Sequence, residues 1–467
     1  MRKIVFFLMM AFSGQMYGQT ASCNCDQAFT ELVNKIETEY PGFAFKTKDG
    51  LAYSNFKEKL AQSSKDATSA QCPALLKAYT DYFKDPHLWV GSNGAPFSGA
   101  TSGKGKESIN IHIPDFKNKI LSGKDKLEGI WKNETYTIGL KKSNTNEYTG
   151  FIIESAYKEW KPKEIKFKLY NDNEFEYALL DGTTKTGTFR VIDNSILQLE
   201  DVSVQFVKYL PKPTLSEGEL SQKLGELNGF YIKRLSSRTA IIKLPSFDYK
   251  YMRTIDSLIS NNKDLLESEN LIIDLRGNGG GTTDAYQKLL PYISGKAIRN
   301  TGTEFLATQT YIDNLKAYKK TLDKDTSATD TDDHIKRLEN NLGKFVNFSG
   351  SQHPEVAIEQ IAVSPKSPRH IIILANGMTG SSAEYFLFIA KQSKKVKIFG
   401  KPSYGALDYG NAYLVNLKCS GYQVFLPTYR ALRLPDYPID NIGIQPDVYM
   451  DKSIEDWIAF AVDYLEN

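Results

Sequence analysis

Three segments of the chain combine residue types that could do chemistry. In the run Ile371 to Ala390, an apolar β-branched stretch leads to Gly377 and Gly380, then Ser381 and Ser382, then a helix-spaced series. A serine at such a junction has its hydroxyl at a helix N-terminus, where free backbone N–H groups and the helix dipole favour developing negative charge. That suits a nucleophile beside an oxyanion hole, although serine is also a favoured helix N-cap. In the second segment, Leu271-Ile-Ile-Asp-Leu-Arg ends in Gly277, Gly279, Gly280 and Gly281. Bare backbone of this kind can bring N–H groups against an oxyanion or a phosphate. The spacing is neither a Walker loop nor a dinucleotide fingerprint, and a tight turn with an Asp274–Arg276 ion pair explains it equally well. The third segment is Tyr82-Phe-Lys-Asp-Pro-His-Leu-Trp89, where His87 sits among aromatic residues just past a helix-ending Asp-Pro. Histidine is the usual base for activating a serine at neutral pH, and a packed structural histidine is the alternative. His112, His334, His353 and His370 show no pairing that suggests a metal site.

The elements that must position these residues fall into regions of different texture. Between residues 26 and 90, Phe29, Leu32, Val33 and Ile36, and later Ala74, Leu75, Ala78 and Tyr79, recur at helical steps. Residues 91–106 are rich in Gly and Ser and read as a linker or loop. From about 110 to 210 the pattern alternates, as in Ile165–Leu169 and Val202–Phe206, with turn signals such as Asn171-Asp-Asn173 between runs. This predicts a small antiparallel β-sandwich or barrel inserted into the chain. From about 225 onward, Thr239–Leu244, Leu271–Leu275 and Ile371–Leu374 are short and almost continuously apolar, as strands covered on both faces are. Helix-like segments follow them, so the fold class is α/β. The polar stretch 322–340 predicts an exposed helical insertion or lid.

The 467 residues exceed a single domain, and 41% hydrophobic with 24% charged residues is a globular composition. A formal charge of +3 gives no general attraction to nucleic acid, so no nucleic-acid partner is expected. Met1-Arg-Lys3, an apolar run from Ile4 to Phe12, and small polar residues to Gly18 have the layout of a secretory signal peptide. Thr20-Ala-Ser-Cys23 also resembles a lipoprotein box with Thr20 where Leu usually stands, which leaves a lipid anchor at Cys23 as an alternative. No later segment is long and apolar enough to span a bilayer, so no integral membrane segment is expected. Of the four cysteines, Cys25 or Cys23 is expected to pair with Cys72 in an oxidising compartment, and Cys419 to be a structural thiol.

Together, Asp274-Leu-Arg-Gly-Asn-Gly-Gly-Gly281, Thr379-Gly-Ser-Ser-Ala-Glu384, Phe399-Gly-Lys-Pro-Ser-Tyr-Gly405 and Gly443-Ile-Gln-Pro-Asp447 resemble the successive blocks of the carboxy-terminal processing (tail-specific) and tricorn-core serine peptidases. The resemblance covers about 228 to 450, with Asp85-Pro86-His87 as a further block. It implies a crotonase-like ββα spiral core, a peptide or protein substrate, and chemistry that needs no metal or cofactor. Many relatives carry a PDZ domain where the β region lies here, and that region has no PDZ signature. On this basis the chain divides into a leader over 1–21, an N-terminal helical region over 22–108, a small β domain over 109–212 and a peptidase-like core over 213–467.

In the family the nucleophile stands three residues before the acidic residue of its block, which selects Ser381 over Ser382. The implied oxyanion donors are the backbone N–H groups of Ser382 and of the glycine run, namely Gly279 and Gly280. Where one branch of the family carries a catalytic lysine this chain has Ala406, and Lys401 lies five positions short. The other branch uses a histidine, matched by His87, and an acid usually glutamate, matched by Asp440. The expectation is an exported serine peptidase, periplasmic or extracellular, acting through an acyl-enzyme on Ser381 with His87 as general base and Asp440 behind it. The alternative is a non-catalytic ligand- or peptide-binding protein on the same fold. A glycan-binding role led by the β region would rest on Trp131 and Trp160 as aromatic platforms.

Overall fold

The short apolar runs become the middle of a six-stranded sheet in the order Tyr231–Arg234, Thr239–Lys243, Asn270–Asp274, His370–Ala375, Val396–Gly400, Val448–Tyr449. The first strand is antiparallel and the others run parallel, with Ile272 in register between Ile241 and Ile372. These three isoleucines face the C-terminal helix Trp457–Glu466, through Trp457 and Ala461. Leu271, Ile273, Ile371 and Ile373 point the other way, onto Ile255, Phe386 and Leu387. Helices thus cover both faces, which is why the strands read as unbroken apolar runs. The computed structural model describes residues 24–97, 106–123, 125–180, 183–321, 327–349, 353–419 and 421–467. The leader, Cys23, half of the Gly/Ser-rich stretch and the start of the 322–340 segment lie outside these residues.

Because the strands are parallel, the segments after Asp274, Ala375 and Gly400 emerge at one edge of the sheet. This is where an open α/β sheet builds its sites. The glycine run, the Ser381 turn and the 401–406 loop therefore meet without long excursions.

Residues 129–210 form a closed barrel of eight antiparallel strands, from Gly129–Lys132 to Val204–Leu210, which pair with each other to close it. Its interior is filled by Trp131, Tyr136, Phe167, Phe175, Tyr177 and Phe206, among others. Trp131 and Trp160 are buried at 0% and 4% exposure, so neither offers the platform a glycan-binding surface would need. The helix Ile113–Ser122 packs on the barrel's outside through Phe116 and Ile120.

The N-terminal helices Cys25–Glu39, Gly50–Lys65 and Cys72–Asp81 share one core with Tyr409, Leu417, Val424 and Leu426 from the far end of the chain. The strand Trp89–Ser92 that follows them pairs with Tyr422–Leu426, and Trp89 stacks on Phe425. Cys25 and Cys72 form a disulfide that spans 47 residues. Cys419 is also disulfide-bonded, which corrects its expected state as a thiol. In the 322–340 segment, the helix Ser327–Glu339 buries Ile335 and Leu338 against Tyr311, Ile312 and Val346. Its described part is therefore a packed element with one polar face, and the polar composition reports that face alone.

Candidate active site

The glycine run is held from behind by a buried ion triplet. Asp274 lies 2.8 Å from Arg276 and 3.1 Å from Lys243, and Lys243 Nζ also donates to the Arg276 carbonyl at 3.0 Å. The two cations hold the Asp274 carboxyl well below its ordinary range against the opposing effect of burial. Beyond them, the buried Asn278 donates through Nδ2 to the Leu244 carbonyl at 2.9 Å and accepts the Gly280 N–H on Oδ1 at 2.9 Å. A Cβ on Gly280, whose φ is 101°, would lie 2.7–2.9 Å from Gly380 O, Ser381 Cβ and Ser382 N. Only glycine lets the run approach the serine turn this closely.

Ser381 has φ 54° and ψ −121°, a conformation that costs a non-glycine residue about 1–3 kcal/mol. Its neighbours fix that conformation. The Gly380 N–H donates to the Asn278 carbonyl at 2.9 Å, and the Tyr404 N–H to the Thr379 carbonyl at 2.8 Å. Glu384, three residues into the turn and helix, does the most. Its Oε1 accepts Ser403 Oγ–H at 2.5 Å and Gly405 N–H at 2.7 Å; its Oε2 accepts Ala406 N–H at 2.8 Å and Ser381 N–H at 2.9 Å. Burial raises its carboxyl while these four donors pull the other way. Ser381 is half-buried and lines a cavity; the Ser382 hydroxyl is buried and unpartnered, and Ser382 opens the helix Ser382–Ala390.

His87 lines the same cavity, brought there from the N-terminal unit. Its backbone N–H donates to Asp85 Oδ1 at 2.8 Å, and Tyr40 Oη donates to Asp85 Oδ2 at 2.8 Å. Asp440 is buried, and its Oδ1 accepts the Leu407 and Asp408 N–H groups, both at 2.8 Å. Asp408 is in turn paired with Arg433 at 2.5 Å. Burial pushes the Asp440 carboxyl well above its ordinary range, and the nearby Asp85 and Asp408 push it further. His87 Nδ1, Asp440 Oδ2 and Tyr409 Oη are each buried without a hydrogen-bond partner. The cavity wall opposite is made by Thr301, Thr303, Tyr385, Leu407, Tyr429 and Arg433.

Ser381, Ser382 and His87 are therefore assembled at one cavity, and Asp440 stands behind it with one free carboxylate oxygen. Gly280 is the exception among the expected oxyanion donors, because its amide is committed to Asn278. The Gly279 amide meets no acceptor within the described residues, and Gly281 lines the cavity beside Ser381. Lys401 is directed away, onto Asp201 of the barrel at 3.0 Å. Sequence reasoning used Glu384 only as a spacing marker and overlooked Asn278, Asp85 and Tyr40 as supports. The Ser-x-x-Glu spacing of a capping box was the available signal for Glu384. Among the described residues, no cluster of three His, Cys, Asp or Glu side chains could hold a metal ion.

Residues 238–450 match the model of Peptidase family S41. Over this span the chain is similar to the serine-type peptidase core of that family. No curated protein matches the chain. Among solved structures it is similar to mature CPAF, with a TM-score of 0.52 at 12% identity, covering 95% of each chain. It is also similar to mature CPAF complexed with lactacystin, with a TM-score of 0.50 at 14% identity, covering 95% of this chain and 97% of that one. A putative peptidase from Parabacteroides merdae gives 0.47 at 14% identity, covering 96% and 98%. At these identities the CPAF likeness is one of fold.

Proposed function

We propose that this protein is an exported serine peptidase of the histidine-using, tricorn-like kind, built on a crotonase-like core. The observation that carries the reading is that Ser381, held at φ 54° over a helix N-terminus, and His87, from a distant part of the chain, line one cavity. His87 takes the Ser381 hydroxyl proton as Oγ attacks the peptide carbonyl carbon. The carbonyl oxygen becomes an oxyanion facing the Ser382 N–H and an amide of the glycine run, with Gly279 and Gly281 the ones left uncommitted. Each such donor contributes about 3 kcal/mol to the transition state. The tetrahedral species collapses, the C–N bond breaks, and His87 gives its proton to the departing amine. Water, deprotonated by His87, then hydrolyses the ester on Ser381. Asp440 orients or charge-stabilises His87 through its free Oδ2.

Export is supported by the leader-like residues 1–21 and by the Cys25–Cys72 disulfide, which persists in an oxidising compartment. A periplasmic or extracellular location is part of the same reading. One observation favours the alternative of a binding protein on this fold: His87 Nδ1 and Asp440 Oδ2 are both unpartnered, so the bond of a closed relay is not made here. Incubating residues 22–467 with a diverse synthetic peptide library, with mass spectrometry of the products, separates the two. New peptide termini that disappear with Ser381→Ala and His87→Ala are expected; an intact library with a folded wild type would sink the peptidase reading.

A further inference from the structure

The barrel reaches the peptidase core at a turn that touches both loops behind the nucleophile. The turn is the 3-10 segment Glu200–Val202 with Ser203, which has φ 49°. Ser203 Oγ lies 2.9 Å from the point that a Cβ on Gly277 would occupy, so the barrel backs directly onto the start of the glycine run. The Gly277 N–H donates to Asn376 Oδ1 at 3.1 Å, and the same oxygen accepts the Met378 N–H at 3.2 Å. Thr379 Oγ1 accepts the Asn376 N–H and donates to the Leu275 carbonyl, both at 3.0 Å. One route thus runs from Ser203 through the glycine run to the residues just before Ser381.

The second route begins at Asp201. Its carboxylate accepts Lys401 Nζ at 3.2 and 3.0 Å and the Thr188 N–H at 2.9 Å. The Lys401 and Asp201 side chains are 19% and 15% exposed, so this pair is screened less than a surface ion pair. The Lys401 N–H donates to the Ala375 carbonyl at 3.1 Å, and two residues on, Ser403 bonds Glu384, whose other oxygen holds the Ser381 N–H. A third tie, Lys452 to Asp172 at 2.8 Å and Glu174 at 3.1 Å, fixes the barrel to the core at another of its turns.

We propose that Asp201 and Ser203 are positioning residues for the peptidase: through Lys401 and Gly277 the barrel turn holds the two loops that set the Ser381 backbone and the oxyanion amides. The barrel is then a brace for the reaction and not only a separate module. This inference rests on the reading of Ser381 as nucleophile, and its test carries a readout that does not. Lys401→Met and Asp201→Asn remove the charge pair, and Lys401→Arg retains it. Each is measured for the rate of fluorophosphonate labelling, for Tm, and for amide hydrogen exchange of the peptides covering 275–282 and 376–384. The first two variants are expected to label about tenfold more slowly, since small misplacements of reacting groups are costly. They are also expected to exchange faster in those two peptides alone, with Lys401→Arg close to wild type in both respects. Wild-type exchange in Lys401→Met and Asp201→Asn would overturn the proposal, as would faster exchange spread evenly over the chain with a lowered Tm. A wild type that is never labelled would instead sink the peptidase reading, and the exchange pattern would still decide whether the turn braces the two loops.

Discussion

Glu384 is the residue on which most of the local geometry converges, with four donors from two parts of the chain on its two oxygens. Glu384→Ala would leave those buried donors unpaired, and a loss of roughly 3–5 kcal/mol in urea-measured stability is expected, together with loss of activity. Gly280→Ala would press its Cβ onto Gly380 O, Ser381 Cβ and Ser382 N at φ 101°, so it is expected to abolish activity even where folded protein is recovered. Asp440 gives a pH test. Its folded pKa is raised, so its contribution to stability is present below the unfolded value and is lost as pH rises through the folded value. The wild type should therefore lose more stability than Asp440→Asn as pH rises from about 4, the ordinary value of an unfolded Asp carboxyl, towards the raised folded value. Equal losses in urea titrations would contradict the buried, unpaired state of Oδ2. At this scale Ser381 and His87 were legible because their residue types are those that nucleophilic catalysis needs. The commitment of the Gly280 amide was not, since it depends on where the Asn278 side chain folds back.

At the scale of elements, the barrel strands were legible from alternation, and the central sheet from unbroken apolar runs. Alternation does not report what fills a barrel, and so Trp131 and Trp160 looked available for binding. Trp160 instead helps enclose a lysine: Lys166 Nζ lies 4.2 Å from the Trp160 and Tyr177 ring centroids and 4.9 Å from that of Tyr136. It donates to the Ala178 carbonyl at 2.5 Å. Burial pushes the Lys166 amine down to about 7. The unfolded chain binds this proton up to a higher pH than the folded one, so stability rises with pH from about 7 towards the ordinary lysine value near 10.4. Lys166→Met is expected to remove that rise and to raise Tm near pH 7, measured by thermal melts of both proteins at several pH values. A wild-type slope in the variant would show that Lys166 keeps its proton inside the cage.

The whole molecule joins the two ends of the chain, since His87 reaches the cavity only through the core that the N-terminal helices share with residues 409–426. That shared core was not legible, because strand pairing between Trp89–Ser92 and Tyr422–Leu426 leaves no local mark in either segment. The Cys25–Cys72 disulfide staples the helices that carry His87, and Cys25→Ser/Cys72→Ser is expected to cost about 3–5 kcal/mol for a loop of this length. The central claim is that a serine on the sheet edge is activated by a histidine delivered from the other end of the chain. It is tested most directly by mapping the fluorophosphonate adduct, with peptide mass spectrometry, on wild type, Ser382→Ala and His87→Ala at neutral pH. The account predicts an adduct on Ser381 in the wild type and in Ser382→Ala, and none in a folded His87→Ala. An adduct on Ser382, or undiminished labelling without His87, would contradict it.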